Sequence, residues 1–313
     1  MTVQTENEYE DLLSLWSDLE SGLGIILGSF GSIQEFEQRV WQYDRWMRDL
    51  LESDTDLGLY LLFQLAANSP VGYSASHALI CSVLCELIAV HLALPKMERD
   101  SLVHAAMTMN LSMTPLQDQL AEQLEKRPTP QQQAEIAAHP VNSSALLSQI
   151  GVTDRLWLDT IRLHHDAATD AGVLSDIPPA ARLARILRIV DRYAAMISPR
   201  GSREGRSTTD SMRSIVAKSV QRHDEVAHIL VRAVGLCPPG TFVRLDNSEL
   251  AIVVRRSGQP NLPEVAVVMD QEGAVLNPPR LHRTADGSPR IKTALSASAV
   301  KERMNHHRIL RLT

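Results

Sequence analysis

Five side chains that could hold a metal ion stand in the middle of this chain: His77, His139, His164, His165 and Asp191. Imidazole nitrogen and carboxylate oxygen together suit zinc, manganese or iron(II). Three nitrogens with a water in the fourth position form a recognised catalytic arrangement for zinc, so His139, His164 and His165 are enough for one ion. His77 and Asp191 are then left to a hydrogen bond or ion pair with each other. A second reading leaves all five as satisfied polar core residues without metal. His77, Cys81 and Cys85 recur every four residues and therefore share one helical face. That face could carry a soft metal site, against which stands the common use of buried cysteine as a small core filler.

The elements that must position these groups are mostly helical, and the fold class expected is mainly α. Leu12, Leu13, Trp16 and Leu19 form one apolar stripe before Gly22 and Gly24, and Phe36, Val40, Met47 and Leu51 form another. Trp16, Trp41 and Trp46 pack these helices onto the core or a second subunit, or else make a partner-binding face. Buried or amphipathic helices are expected over 57–67, 73–94, 98–109, 131–139 (stopped by His139-Pro140), 144–150, 154–165, 178–197 and 210–234. Between the last two, SPRGSREGRSTT reads as a basic surface loop carrying Arg200 and Arg203. After Pro238-Pro239-Gly240 the period becomes alternating, giving strands near 242–244, 250–254 and 264–269. The expected division is an N-terminal helical region (1–70), a helical core (71–235), a small β extension (236–285) and a polar tail (286–313) ending in a loosely attached basic helix.

With 313 residues, 44% of them apolar, the chain can build a sizeable core. A formal charge of −6 argues against nonspecific nucleic-acid binding. Three cysteines are too few for a disulfide framework, which fits a reducing cytoplasm. The acidic start lacks the basic and apolar regions of a signal peptide, and no uninterrupted apolar run reaches the roughly 18 residues of a membrane span. The expectation is a cytoplasmic protein.

The order of these segments resembles the HD-GYP family of the HD-domain superfamily. The resemblance runs from about Leu57 to Arg280 and is carried by YSASH ending at His77, AAMTMN ending at Asn110, EIAAHP containing His139, LHHD ending at Asp166, ARILRIVDRYAA containing Asp191, and GLCPPGTFVRL from Gly235. It implies an HD-like helical bundle with a β extension, and a family whose members hold two or three metal ions and hydrolyse cyclic di-GMP. His77, His139, His164, His165 and Asp191 fall on its ligand positions. Met109 and Asn110 fall on the His-Asp dyad, and Ser112 and Met113 on a Gly and a Lys. The GYP signature, due near Gly172, is absent. Arg200 and Arg203 match two arginines of a family loop, where they would bind phosphate.

These departures bear on the chemistry. Two dications about 3.5 to 4 Å apart repel by on the order of 18 kcal/mol at an effective dielectric near 20, and a bridging carboxylate offsets this. Asn110 is neutral, and Met109 offers only a thioether. The implied function is a degenerate HD-GYP-like protein without cyclic di-GMP phosphodiesterase activity, acting as a signalling adaptor or nucleotide-responsive binding module. Its metal content is expected to be one divalent transition metal (zinc, manganese or iron), substoichiometric or absent. The implied partners are a signalling protein, a cyclic dinucleotide or other phosphate ligand, and a second copy of the chain. The alternative is a mononuclear metal-dependent phosphohydrolase using the remaining histidines.

Overall fold

A helix apolar on all sides must lie in the middle of a protein, and α4 (Tyr73–His91) is such a helix. From Ser74 to Ala89 every residue but Leu87 is buried. The computed structural model describes residues 2–68, 71–124, 127–170, 172–198, 207–222, 225–296, 299–300 and 304–312. Around α4 pack α1 (Thr2–Gly28), α3 (Thr55–Asn68), α5 (Lys96–Thr108), α6 (Thr114–Glu122), α9 (Pro179–Ile197) and α11 (Val226–Val234). A further layer holds α7 (Pro130–Gln149) and α8 (Arg155–Leu163), with α8 bridging α5, α7 and α9. By length and composition α4 could cross a membrane, yet most of it is buried inside the protein.

Long apolar side chains lock these helices. Trp157 of α8 is fully buried and its indole N–H donates to Thr108 Oγ1 at 2.8 Å, joining α8 to α5. α2 (Phe36–Ser53) is held to the core by charge as well as packing. His104 Nε2 donates to Asp44 at 3.0 Å and Arg48 donates to Asp100 at 2.9 Å, while beside them Arg99 of α5 donates to Glu86 of α4 at 2.9 Å. Arg48 Nε also lies 2.8 Å from Asp44 but out of line for a hydrogen bond, so that contact is an ion pair only.

Several segments differ from the sequence expectation, each for a local reason. The first helix runs through Gly22 and Gly24, because the ring of Tyr43 and the side chain of Val71 occupy the space where Cβ atoms would stand. Trp16 is buried and Trp46 half-buried, while Trp41 remains 51% exposed. The expected last core helix is two, α10 (Thr208–Arg222) and α11. The sheet does not stop at 285. Its antiparallel order is β4-β3-β2-β1-β5, with β1 (Phe242–Leu245), β2 (Leu250–Arg255), β3 (Glu264–Met269), β4 (Val275–Arg283) and β5 (Ile291–Ala294). Pro278 and Pro279 conceal β4 from a pattern reading, and the structure tolerates them because β4 is an edge strand. Nor is the tail loose: α12 (His306–Leu310) buries Ile309, and Tyr60 of α3 hydrogen-bonds His306 at 2.6 Å.

The sheet is tied to the helices by apolar packing of α3 on β2, with Phe242, Ile252 and Val254 joining the main core. Ion pairs join Arg255 to Asp54 at 2.9 Å and Arg256 to Asp56 at 2.5 Å. Gly240 sits at this seam with φ +88°, where an added Cβ would lie 3.0 Å from the Tyr60 carbonyl oxygen. Gly240→Ala should therefore cost about 1–3 kcal/mol through strain and lost contact. An unchanged urea midpoint would contradict this account of the seam.

Candidate metal centre

Helices α4, α7, α8 and α9 bring the five expected residues into one region as two groups. One is His139, His164 and His165, whose ligand atoms all lie within 4.8 Å of one another. The other is His77, Cys81 and Asp191, within the same limit. Cys85 is not part of it. Arg200 and Arg203 lie outside the described residues.

The first group is prepared by two helix breaks. Helix α7 does not end at Pro140 but continues through it. Proline has no N–H to give the carbonyl four residues back, so the Ile136 oxygen is left free, and His139 Nδ1 donates to it at 2.5 Å. The last four carbonyls of a helix likewise lack intrahelical donors. Helix α8 ends at Leu163, and His164, just beyond it, donates from Nδ1 to the Ile161 oxygen at 2.6 Å. In both rings the proton is thereby placed on Nδ1 and the lone pair on Nε2, the tautomer control typical of metal-ligating histidine. The sequence signals for this were Pro140 directly after His139 and the helix end at His164, and the sequence reading used Pro140 only as a stop.

The two lone-pair nitrogens face each other, His139 Nε2 to His164 Nε2, at 3.3 Å. Neither ring can donate to the other while both protons stay on Nδ1. In a tetrahedral zinc site with Zn–N bonds of 2.0–2.1 Å, two ligand nitrogens stand about 3.3–3.4 Å apart, so the spacing suits an ion. Protonation is the other way to relieve the pair, and burial opposes it. His164 is fully buried, and burial, followed by the neighbouring His165, lowers its pKa to about 3. His139 is lowered too, chiefly by burial. His165 is exposed, so the group opens to solvent on its side.

In the second group His77 Nε2 donates to Asp191 Oδ1 at 2.8 Å, and Cys81 Sγ lies 3.6 Å from the same nitrogen. Burial resists ionisation of Asp191, but the His77 hydrogen bond and the charges of His77, His165 and His164 outweigh it and hold the carboxyl well below its usual range. No backbone carbonyl orients His77, whose Nδ1 is buried without a hydrogen-bond partner. Met109 is 1% exposed and belongs to the hydrophobic core, while Asn110 is half-buried at the turn after α5. Ser112 anchors that turn to α7, its amide donating to Ser143 Oγ at 3.1 Å. A groove of about 1210 Å³ lies elsewhere, between α2, α5 and the start of α8, and none of the five residues lines it.

Pro140→Ala supplies the missing N–H and should stabilise the helix by up to about 3 kcal/mol. The Ile136 oxygen is then no longer reserved for His139, so metal affinity should fall about 10- to 100-fold. Thermal melts and metal titrations should move in opposite senses; equal affinity in both proteins would remove the carbonyl from the account.

Acid should unfold the metal-free protein through the same histidines. An unfolded histidine takes its proton near 6.5, whereas His164 in the fold does so only near 3. Its contribution is complete above 6.5 and falls as pH drops through the window to 3, by about 2 kcal/mol at pH 5. Asp191, with a lowered pKa, adds a loss below the usual carboxylate range. The fall from pH 7 to 5 should be shallower in His164→Gln, and equal slopes would refute the assignment.

A model of the HD domain matches residues 61–226. The cyclic di-GMP phosphodiesterase PA4108 of Pseudomonas aeruginosa is 26% identical over 143 residues, 45% of this chain and 34% of that protein. The match thus spans about a third of the relative's length. No solved structure matches. The matched region covers more than half of the chain and contains both groups of ligand-type side chains, so this protein belongs to the HD-domain family.

Proposed function

We propose that this chain is a degenerate HD-GYP-like module that holds one divalent transition metal at His139, His164 and His165 and binds a phosphate ester there, a cyclic dinucleotide being the leading class. It acts as a nucleotide-responsive signalling component, not as a two-metal cyclic di-GMP phosphodiesterase. The observation that carries the reading is the pair of facing lone-pair nitrogens 3.3 Å apart, with both tautomers fixed by backbone carbonyls. A bound ion would supply Lewis acidity toward a phosphoryl oxygen. The chain contributes three nitrogen donors, an opening beside the exposed His165, and the negative charge of Asp191 nearby. Arg200 and Arg203 complete the anion site in this proposal, and a signalling protein or second copy is its partner.

Against two-metal hydrolysis stand the apolar setting of Met109, the neutral side chain of Asn110 and the engagement of Asp191 with His77. A second reading, a mononuclear phosphohydrolase, is favoured by the solvent-open side of the histidine group and by the phosphodiesterase relative.

The test is elemental analysis with calorimetry and turnover assays. About one equivalent of metal is expected at the histidine group, lost in His164→Ala together with cyclic di-GMP binding. No hydrolysis is expected with added manganese or iron. Robust turnover by the unaltered chain, abolished by His164→Ala, would replace the proposal with the phosphohydrolase reading.

A further inference from the structure

In the second group, one nitrogen faces two partners. His77 Nε2 lies 2.8 Å from Asp191 Oδ1 and 3.6 Å from Cys81 Sγ. Cys81 and His77 are 0% and 1% exposed, and Asp191 is half-buried. The single proton on that nitrogen goes to the carboxylate, and the sulfur makes the longer contact beside it. Helix α4 brings Cys81 onto the same face as His77 one turn later, and α9, packed against α4, brings Asp191.

The nitrogen–sulfur spacing fits a metal as well as a hydrogen bond. With Zn–S of about 2.3 Å and Zn–N of 2.0–2.1 Å, a tetrahedral ion holds sulfur and nitrogen about 3.5–3.6 Å apart, and the observed separation is 3.6 Å. The nitrogen–oxygen distance is shorter than the corresponding edge of about 3.3 Å, so Asp191 must withdraw by about half an ångström when an ion replaces the proton.

Charge points the same way. A dication with one carboxylate and one thiolate is locally neutral, which matters in a buried place. Asn110 cannot supply a negative charge here; Cys81 can once a bound ion displaces its proton, which burial and the Asp191 charge otherwise hold in place. Local neutrality also removes much of the repulsion toward an ion at His139, His164 and His165 that a bridging carboxylate would otherwise offset.

We propose that His77, Cys81 and Asp191 form a second metal site of this chain, with Cys81 as a thiolate ligand, selective for thiophilic ions such as zinc, iron(II) or cobalt over manganese and magnesium. On binding, the Cys81 thiol proton is released to solvent and the His77 proton passes from Nε2 to Nδ1, the nitrogen that now lacks a partner. The site goes beyond the function proposed above, since it requires neither the histidine group nor a nucleotide.

The experiment is titration of the metal-free full chain with cobalt(II) under reducing conditions, read by absorption. A near-ultraviolet thiolate-to-cobalt charge-transfer band is expected to saturate at about one cobalt per chain, to vanish with zinc and to persist with manganese. Cys81→Ser should lose the band while keeping the visible absorption of histidine-bound cobalt. His164→Ala should keep the band and lose the other equivalent, so the two sites fail independently. The Cys85→Ala/Cys237→Ala double variant leaves Cys81 as the sole cysteine and should retain the band. If circular dichroism shows Cys81→Ser unfolded, the double variant decides. No band in the wild type or the double variant, or a band surviving in folded Cys81→Ser, overturns the proposal.

Discussion

Two backbone carbonyls released from helical bonding organise this molecule's chemistry. The Ile136 oxygen is free because Pro140 has no N–H, and the Ile161 oxygen, with α8 ending two residues later, takes only a long 3.4 Å bond from the His164 amide. Each takes the Nδ1 proton of a histidine three residues on. The consequence is a buried pair of imine nitrogens aimed at one another, which burial keeps from protonating. A fold keeps such an arrangement only if the surrounding packing outweighs it. Here that packing is α7, α8 and α9 stacked side by side.

The neighbouring group follows a different logic. His77 has no carbonyl to orient it and is held by the Asp191 carboxylate instead. Its ring stacks on Tyr73 at a centroid distance of 5.4 Å, which limits its freedom without fixing a tautomer. The turn at Met109-Asn110 adds an apolar side chain to the core and a neutral amide at its edge. The two halves of the region therefore differ: one presents two lone-pair nitrogens to each other, while the other is closed by the His77–Asp191 hydrogen bond.

The rest of the chain supports this region from outside. α1 and α3 cover α4, and α2 is anchored to α5 and α4 through Asp44 and Arg48, which pair with Asp100 and Glu86 beside Arg99. The sheet closes the other side through α3, and α12 clamps it through Tyr60 and His306. On α9, Arg185 and Arg188 donate to the carbonyls of Gly172 and Asp166, holding the loop after the paired histidines close to the helix that carries Asp191.

Residue type and spacing, together with the family resemblance, singled out His77, His139, His164, His165 and Asp191, because such side chains are rare inside apolar helices and stand out there. Helical period identified the cores of α2, α4, α8 and α9, and alternation identified β1 to β3. Where the sequence reading went astray, a local rule was overridden by packing. Pro140 was read as a stop although α7 runs through it, the glycines of α1 were read as an end although they accommodate Tyr43 and Val71, and the prolines of β4 concealed an edge strand. Only the tertiary structure decided that Cys81 faces Asp191 and not Cys85 alone, that Met109 joins the core, and that two imidazole lone pairs converge. Those facts depend on how α4, α7, α8 and α9 cross, and distances between helices far apart in sequence are set by side-chain packing that no single segment encodes.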